Sequence, residues 1–359
     1  MYQWIITLLC FFFVFSTLTH AKGNQDVQYA FSFPLNQGSP GESMGGHDHM
    51  NHKNGSYNHS YLADPFGVIG GHSHHAGGWM ISYKYMRMFM KGMRDGTNGL
   101  TNSQVISQGY MATPTKMTME MHMLGLMYAP LDELTLMVMA PYVIKKMDHV
   151  RMNGTTFIRE SEGIGDIKLT ATYFVLNKKL FHLHFNFGIS FPTGSIDESF
   201  GGARLPYPMQ IGSGTFDLLP GITYLGQAGN LDWGLQFKTE IRLGDNKHNY
   251  TLGNRYHITF WGAYQWFKLL STSVRINTLI WENIDGADSQ LNPAMIPNAD
   301  PNKQGGRRMD LLFGTLFYLP FGHIKPRLGI EIGFPIYQSL NGPQLETDWM
   351  LTAGIQWPF

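Results

Sequence analysis

The chain has almost no cysteine, little charge and only one long apolar run. Of its 359 residues a single one is cysteine, Cys10, so neither a disulfide framework nor a cysteine-based metal or redox site can be built within it. Charged residues make up 14%, where about a quarter is usual for soluble proteins. The 26 basic side chains balance the 26 acidic ones, so there is no electrostatic footprint for nucleic acid. No Gly-rich phosphate loop or catalytic carboxylate pair stands out. Beyond residue 18 no apolar run approaches the roughly 20 residues of a membrane helix. Aromatics nevertheless reach 14% and glycine 41 residues, while mean hydropathy stays close to neutral. That combination is expected when hydrophobicity hides in alternate positions, as in a transmembrane β-barrel.

The one apolar run, residues 4–18, is followed by Thr19-His20-Ala21. Small residues three and one before a cut after Ala21 make 1–21 a secretory signal peptide, although no Lys or Arg precedes the run. Leu9 stands before Cys10, which disfavours lipidation there. Cleavage would leave about 338 residues without a thiol.

Period-two alternation recurs along the rest of the chain. Leu231, Trp233, Leu235, Phe237, Ile241 and Leu243 alternate with Asp232, Gly234, Gln236, Lys238, Glu240 and Arg242. Phe181 to Phe191 and Ile324 to Ile336 repeat the pattern, and the C-terminal run from Trp349 to Phe359 ends on an aromatic. Such alternation gives a strand one apolar and one polar face. Twelve strands are expected, at 78–94, 115–129, 133–148, 164–176, 180–192, 213–227, 230–244, 254–267, 269–282, 308–319, 322–336 and 347–359. Short connections alternate with long ones, as periplasmic turns and outer loops do in such barrels. The fold class expected is therefore all-β, a 12-stranded antiparallel transmembrane barrel in a Gram-negative outer membrane. Its C-terminal strand ending in Phe359 is the segment that barrel-assembly machinery would engage. Tyr128, Tyr142, Tyr224, Trp266, Trp281, Tyr318 and Trp357 suit aromatic girdles.

The polar face should line the lumen. The residues expected there are Glu120, His122, Asp166, Lys168, His182, His184, Lys238, Glu240, Arg242, His257, Arg275, Lys325, Arg327 and Glu331. They either fill and rigidify a small barrel or form a polar path for a small solute. A 12-strand barrel is narrower than the 16–18-strand porins, so passage should be slow or gated.

Residues 22–77 lack alternation and form a leader or plug, with the barrel at 78–359. Seven of the 15 histidines lie within the 29 residues from His47 to His75. His47, His49, Met50, His52, His72, His74 and His75 are the candidate metal ligands. Imidazole and thioether together suit copper, with zinc or nickel as alternatives through the histidines. A solvated tail with no specific role is the competing reading.

Methionine numbers 22. Met117, Met119, Met121, Met123 and Met127 share one face, opposite Thr118, Glu120 and His122, which predicts that these methionines face lipid. Met86 and Met88 share parity with Ser82 and Lys84, which predicts the lumen.

Several motifs are distinctive: Gly78-Trp79-Met80-Ile81-Ser82-Tyr83-Lys84, Ala129-Pro130-Leu131, Met139-Ala140-Pro141-Tyr142, Gly163-Ile164-Gly165-Asp166, Ser190-Phe191-Pro192-Thr193-Gly194 and Gly212-Ser213-Gly214-Thr215-Phe216-Asp217. Across about 78–359 the chain resembles the outer-membrane transporter family labelled for the MetA pathway of phenol degradation, in its Met/His-rich branch. That resemblance implies a channel-like barrel. The label points to aromatic or other apolar small molecules, the branch to copper handling. The function expected is a channel for a small solute or metal, embedded in outer-membrane lipid and not an enzyme. A structural or adhesive barrel is one alternative. An outer-membrane lipase is another, disfavoured because the barrel histidines that can be placed, such as His182 and His184, point inward.

Overall fold

Residues that alternate apolar with polar or small side chains give a sheet two unlike faces, and a sheet that curls closed encloses one of them. The computed structural model describes residues 64–68, 70, 75–178, 180–319 and 326–359. Eleven elements close there into one antiparallel ring. They are β1 (Trp79–Gly96), β2 (Ala112–Leu131), β3 (Leu134–Arg151), β4 (Ile167–Lys178), β5 (Phe181–Phe191), β6 (Gly221–Ala228), β7 (Leu231–Leu243), β8 (Arg255–Phe267), β9 (Leu270–Trp281), β10 (Gly306–Tyr318) and β11 (Arg327–Pro358). Each pairs with its sequence neighbours, and β1 pairs antiparallel with β11 to close the ring.

β11 is 32 residues long and does two jobs. Arg327–Leu340 pairs with β10, and Leu340–Pro358 pairs with β1. The element folds back on itself. Thr347 N donates to Gln338 Oε1 at 2.9 Å, and Gln338 Nε2 donates to Thr347 O at 2.8 Å. Nine residues of extended strand would separate these groups by about 30 Å. Gly342, with φ of 95°, takes the left-handed backbone that the bend requires.

Three short strands extend the ring's sheet, and two two-stranded pairs, Ser199–Phe200 with Ala203–Arg204 and Tyr250–Thr251 with Asp285–Gly286, lie in the loops. Asn98–Leu100 continues on β1, Thr156–Ile164 on β3, and Phe216–Leu218 between β5 and β7. The expected strand over 213–227 is thus broken, because Pro220 cannot donate to the ladder. Thr156–Ile164 falls where a loop was expected. Connections at one end are short (132–133, 179–180, 229–230 and 268–269), with 319–326 between β10 and β11. The opposite end carries 97–111, 152–166, 192–220, 244–254 and 282–305. These hold the helix α1 (Asn102–Ser107), whose Thr101–Gln104 capping box satisfies its first amides, and three 3-10 turns.

Large apolar side chains cover the outside: Leu124, Val138, Phe187, Leu235, Phe260, Phe313 and Ile332 are all exposed. Their ring neighbours across the sheet share that face. Soluble monomers rarely expose a contiguous apolar belt of this kind. Trp79 and Tyr128 pack against each other at the short-turn end. Tyr142, Tyr224, Trp266 and Trp357 are exposed. Tyr318 departs from the expected girdle: it is buried and packs with Phe66 and Leu316 inside the ring. Among the described residues no helix is long and apolar enough to cross a membrane.

Candidate functional site

The interior has two unlike walls. On β4 to β11 it is ionic. Lys168 Nζ meets Glu240 Oε1 at 2.6 Å, and Glu240 also meets Arg242 Nη2 at 3.1 Å. Arg242 in turn holds the buried Asp217. Arg275 grips Glu331 through two nitrogens, and Arg308 Nε lies 2.8 Å from Asp310 Oδ1. In a confined lumen each charge needs such a partner, because an unpaired one loses its hydration without compensation. His184 and Asn186 are buried on β5, and Asn186 Nδ2 donates to Thr172 Oγ1 at 2.8 Å.

The wall formed by β1, β2 and β3 is thioether. Met80, Met123, Met127, Met137 and Met147 are buried, and Met86, Met88, Met119, Met121 and Met139 are half-buried on the same parity. Register sets Met80 opposite Met127 and Met127 opposite Met137. Met86 faces Met121, Met88 faces Met119, and Met90 faces Met117, which faces Met147. Met350 of β11 sits opposite Met88 on its other side.

The structure therefore reverses the orientation expected for β2. Leu124 and Leu126, 61% and 42% exposed, share the face of Glu120 and His122. Glu120 and His122 do not line the lumen. Outside the ring, Tyr83 Oη and His122 Nδ1 are 2.8 Å apart, and Arg87 Nη1 lies 3.7 Å from Glu120 Oε1. Partnered with Tyr83 and Arg87, these polar groups tolerate an outward position at the level of Tyr142, which stands opposite His122.

A strap of chain crosses between the walls. Residues 64–68 make a turn closed by Val68 N donating to Pro65 O at 2.9 Å. Phe66 packs on Leu316 and Tyr318 and fills the place of a side chain at Gly329. Lys84 Nζ donates to Phe66 O at 2.8 Å and stands over its ring. Val68 packs on Leu225 and Trp261. Nε2 of His184 donates to Gly70 O at 2.7 Å. β11 and β5 are half a ring apart, and the Phe66 ring on one side and the His184 side chain on the other bridge the turn to these two walls. Between strap and thioether wall lies a cavity of about 10 Å³ touching Ser82, Lys84, Met123, Met127, Met137 and Met139. That is room for about one water-sized group.

The long-loop end is braced by the motifs singled out in the sequence. Asp166 accepts from Gly194 N at 2.9 Å and from Ser213 N at 2.8 Å. Thr193 Oγ1 donates to Gly165 O and accepts from Ile167 N. Gly194 and Gly212 approach so closely that neither has room for a Cβ. Lys145 Nζ holds Pro208 O at 2.9 Å and Gln210 O at 2.5 Å, seating Met209 against Met117 and Met147. Above, Tyr207, Tyr250 and Ile284 form a small core. Burial pushes the Tyr250 phenol up to about 12. Asp197 ties Arg204, Lys247 and His248 together, and hydrogen bonds from Lys247, His248 and Arg204 hold its carboxyl well below the usual range.

Of the remaining expected lumen residues, Lys168, Lys238, Glu240, Arg242, His257 and Arg275 are half-buried on the inward parity of their strands, His182 shares the parity of the buried His184, and Arg327 and Glu331 are buried. Asp166 braces loops at the rim. Lys325 lies outside the described residues, as do 1–63 with the expected signal peptide and His47, His49, Met50 and His52, and also His72 and His74. His75 is described: it is exposed, with Nδ1 3.6 Å from Asp132 Oδ1. Among the described residues no group of three or more His, Cys, Asp or Glu could hold a metal. Sequence reasoning gave Lys84 its lumenal parity but missed the strap it holds, and missed Lys145, Asp217, Arg308 and Asp310. Asp-Pro-Phe-Gly at 64–67 reads only as a turn, whereas the parity of Arg308 and Asp310 against exposed Phe313 and Phe317 was there to be used.

A closed antiparallel barrel with a strapped, two-walled interior and an apolar exterior defines the class. Residues 101–301 match the family described as "Putative MetA-pathway of phenol degradation", and the chain belongs to it. Among solved structures, the crystal structure of the COG4313 outer membrane channel from Pseudomonas putida F1 superposes with a TM-score of 0.57 at 15% identity, over 81% of this chain and 100% of that one. The transport unit of the autotransporter AIDA-I from Escherichia coli gives 0.45 at 9% identity, over 81% and 93%. No curated protein matches in sequence.

Proposed function

We propose that the protein is an outer-membrane channel for a small solute, closed at rest by its own residues 64–70. The observation that carries this is the strap. It spans a closed ring from the Phe66 seat at Gly329 to the His184–Gly70 hydrogen bond. A purely structural barrel could be filled by side chains alone and has no use for a peptide held at two points across its lumen. The apolar belt supports a barrel set in lipid, with the short turns on the periplasmic side and the braced long loops outside. Passage through the membrane is the reading that the channel named among the superposed structures also favours.

Twelve staves follow if both arms of β11 are counted. Strands that alternate up and down close with first and last antiparallel only when their number is even, and the β1–β11 pair is antiparallel. The barrel would be exported by the expected signal peptide and inserted through its C-terminal strand. The reading carries no catalytic step, because the buried carboxylates of Asp217, Glu331 and Asp310 serve as partners of arginines.

A second reading concerns the solute. An apolar groove of about 350 Å³ on the outer wall, bounded by Tyr83, Phe317, Leu328, Ile330 and Ile355, reaches Gly329. Phe66 lies directly behind it, which favours apolar molecules entering beside the strap.

Planar-bilayer conductance of the full chain against a variant lacking residues 22–70 tests the gate. Deletion should raise single-channel conductance severalfold. Equal conductance of the two folded forms would remove the strap as the closing element. Loading of proteoliposomes with a neutral sugar and with phenol then separates the polar from the apolar path.

A further inference from the structure

The methionines on β1 to β3 exceed what filling a lumen needs, and their arrangement is ordered. Cross-strand rows of thioethers recur from one end of the barrel to the other: Met80–Met127–Met137, then Met86–Met121, then Met350–Met88–Met119, then Met90–Met117–Met147. Residues directly opposite on neighbouring strands have Cβ atoms about 5 Å apart, and methionine adds three rotatable bonds beyond that. Two sulfurs of one row can therefore converge on a single ion. The rows at the two ends are buried except for the half-buried Met90, and Met86, Met88, Met119 and Met121 in the middle are half-buried and open to the interior. The polar partners of this stretch already engage sulfur: Arg308 Nη1 and Thr347 Oγ1 both lie 3.9 Å from Met88 Sδ.

Resting on the channel reading, we propose that this wall binds a soft monovalent cation, Cu(I) or Ag(I), through thioether sulfur. Thioethers select soft d10 ions and have little affinity for hard ones. The cations along the same wall sharpen the choice. Lys84 and Lys145 lie on it, and Lys145 stands opposite Met119. Their field opposes any ion held by charge alone, so potassium or calcium gains nothing there, whereas a sulfur-bound ion keeps its coordination. No electron transfer is involved, and Ag(I) serves as a redox-inert probe.

The test compares the full-length protein with a variant carrying Met86→Leu, Met88→Leu, Met119→Leu and Met121→Leu. Leucine keeps volume and apolarity and removes sulfur. Heat-modifiable gel mobility checks that both forms are folded, and potassium conductance of each after removal of residues 22–70 checks that their pores are alike. Ag(I) titration with X-ray absorption at the silver edge reads sulfur coordination, and Ag(I) flux into proteoliposomes reads passage. The proposal expects at least tenfold weaker Ag(I) binding in the variant, with fewer sulfur neighbours per bound ion. Identical binding and coordination in the two forms would overturn it, whatever His47 to His75 contribute, because that segment is unchanged between them. Sulfur-dependent binding with no conductance of any ion even after residues 22–70 are removed from both forms would uphold the binding wall and sink the channel reading.

Discussion

Gly329 has no side chain, and the Phe66 ring occupies the space one would take. A methyl group there must push Phe66 off Leu316 and Tyr318, the two residues that seat it. Gly329→Ala should therefore loosen the strap while leaving the ring's hydrogen bonds intact. The expected outcome is a several-fold rise in conductance, with unfolding stability lower by about 1–3 kcal/mol, the usual range for overpacking. Bilayer recording and urea unfolding of the same preparation check both numbers. Unchanged conductance together with unchanged stability would mean that Phe66 does not bear on the wall. Nothing in the sequence marks Gly329 among 41 glycines, since its role depends on a residue more than 260 positions away. Asp166 was more legible. It was singled out with the Gly-Ile-Gly-Asp, Pro-Thr-Gly and Gly-Ser-Gly segments, and these meet at its carboxylate. What could not be read was that it binds backbone amides at the rim and not an ion in the lumen.

The strands themselves were written into the alternation, and most expected spans differ from the observed ones by a few residues. The failures have physical causes. Pro220 breaks the strand expected over 213–227, and β11 runs through the bend that was expected to divide it. On β2 the assignment of faces inverted, because polarity alone was used to choose the lumenal side. Thr118, Glu120 and His122 looked lumenal and methionine looked lipid-like. The lower half of the same strand carries the opposite message: Leu124 and Leu126 are outward, while Gly125 and Ala129 are buried. A wall filled by methionine leaves the polar residues to face outward, where Arg87 and Tyr83 partner them. The mature chain would have no cysteine, so single cysteines report these faces cleanly. Leu124→Cys and His122→Cys should react with a membrane-partitioning maleimide and be spared by a charged aqueous one. Met121→Cys should show the reverse once residues 22–70 are removed. Labelling of Met121→Cys from the lipid phase would contradict the register and with it the thioether wall.

At the scale of the whole molecule, the proposed channel has two closures on one lumen, the strap in its short-turn half and the loop cap at its far end. The cap is where pH should act. Asp197 gathers Lys247, His248 and Arg204, and these donors hold its carboxyl well below the ordinary range. A carboxylate depressed in the folded state contributes stability that is complete above its unfolded value, about 3.9. That contribution fades only as pH falls through the lower folded value. Asp197 is about half exposed, so solvent screens the pairs and the effect belongs to the loop and not to the barrel. Hydrogen exchange of the amides in 194–213 should therefore stay constant between pH 7 and 5 once corrected for intrinsic rate, and rise in strong acid. In Asp197→Asn the same exchange should already be raised at pH 7 and show no further acid dependence. Loosening of the wild-type cap between pH 7 and 5 would mean that Asp197 is not the group that latches it. Conductance should follow the cap only when the strap has been removed, because while Phe66 and Gly70 remain seated the outer closure is not the narrower of the two.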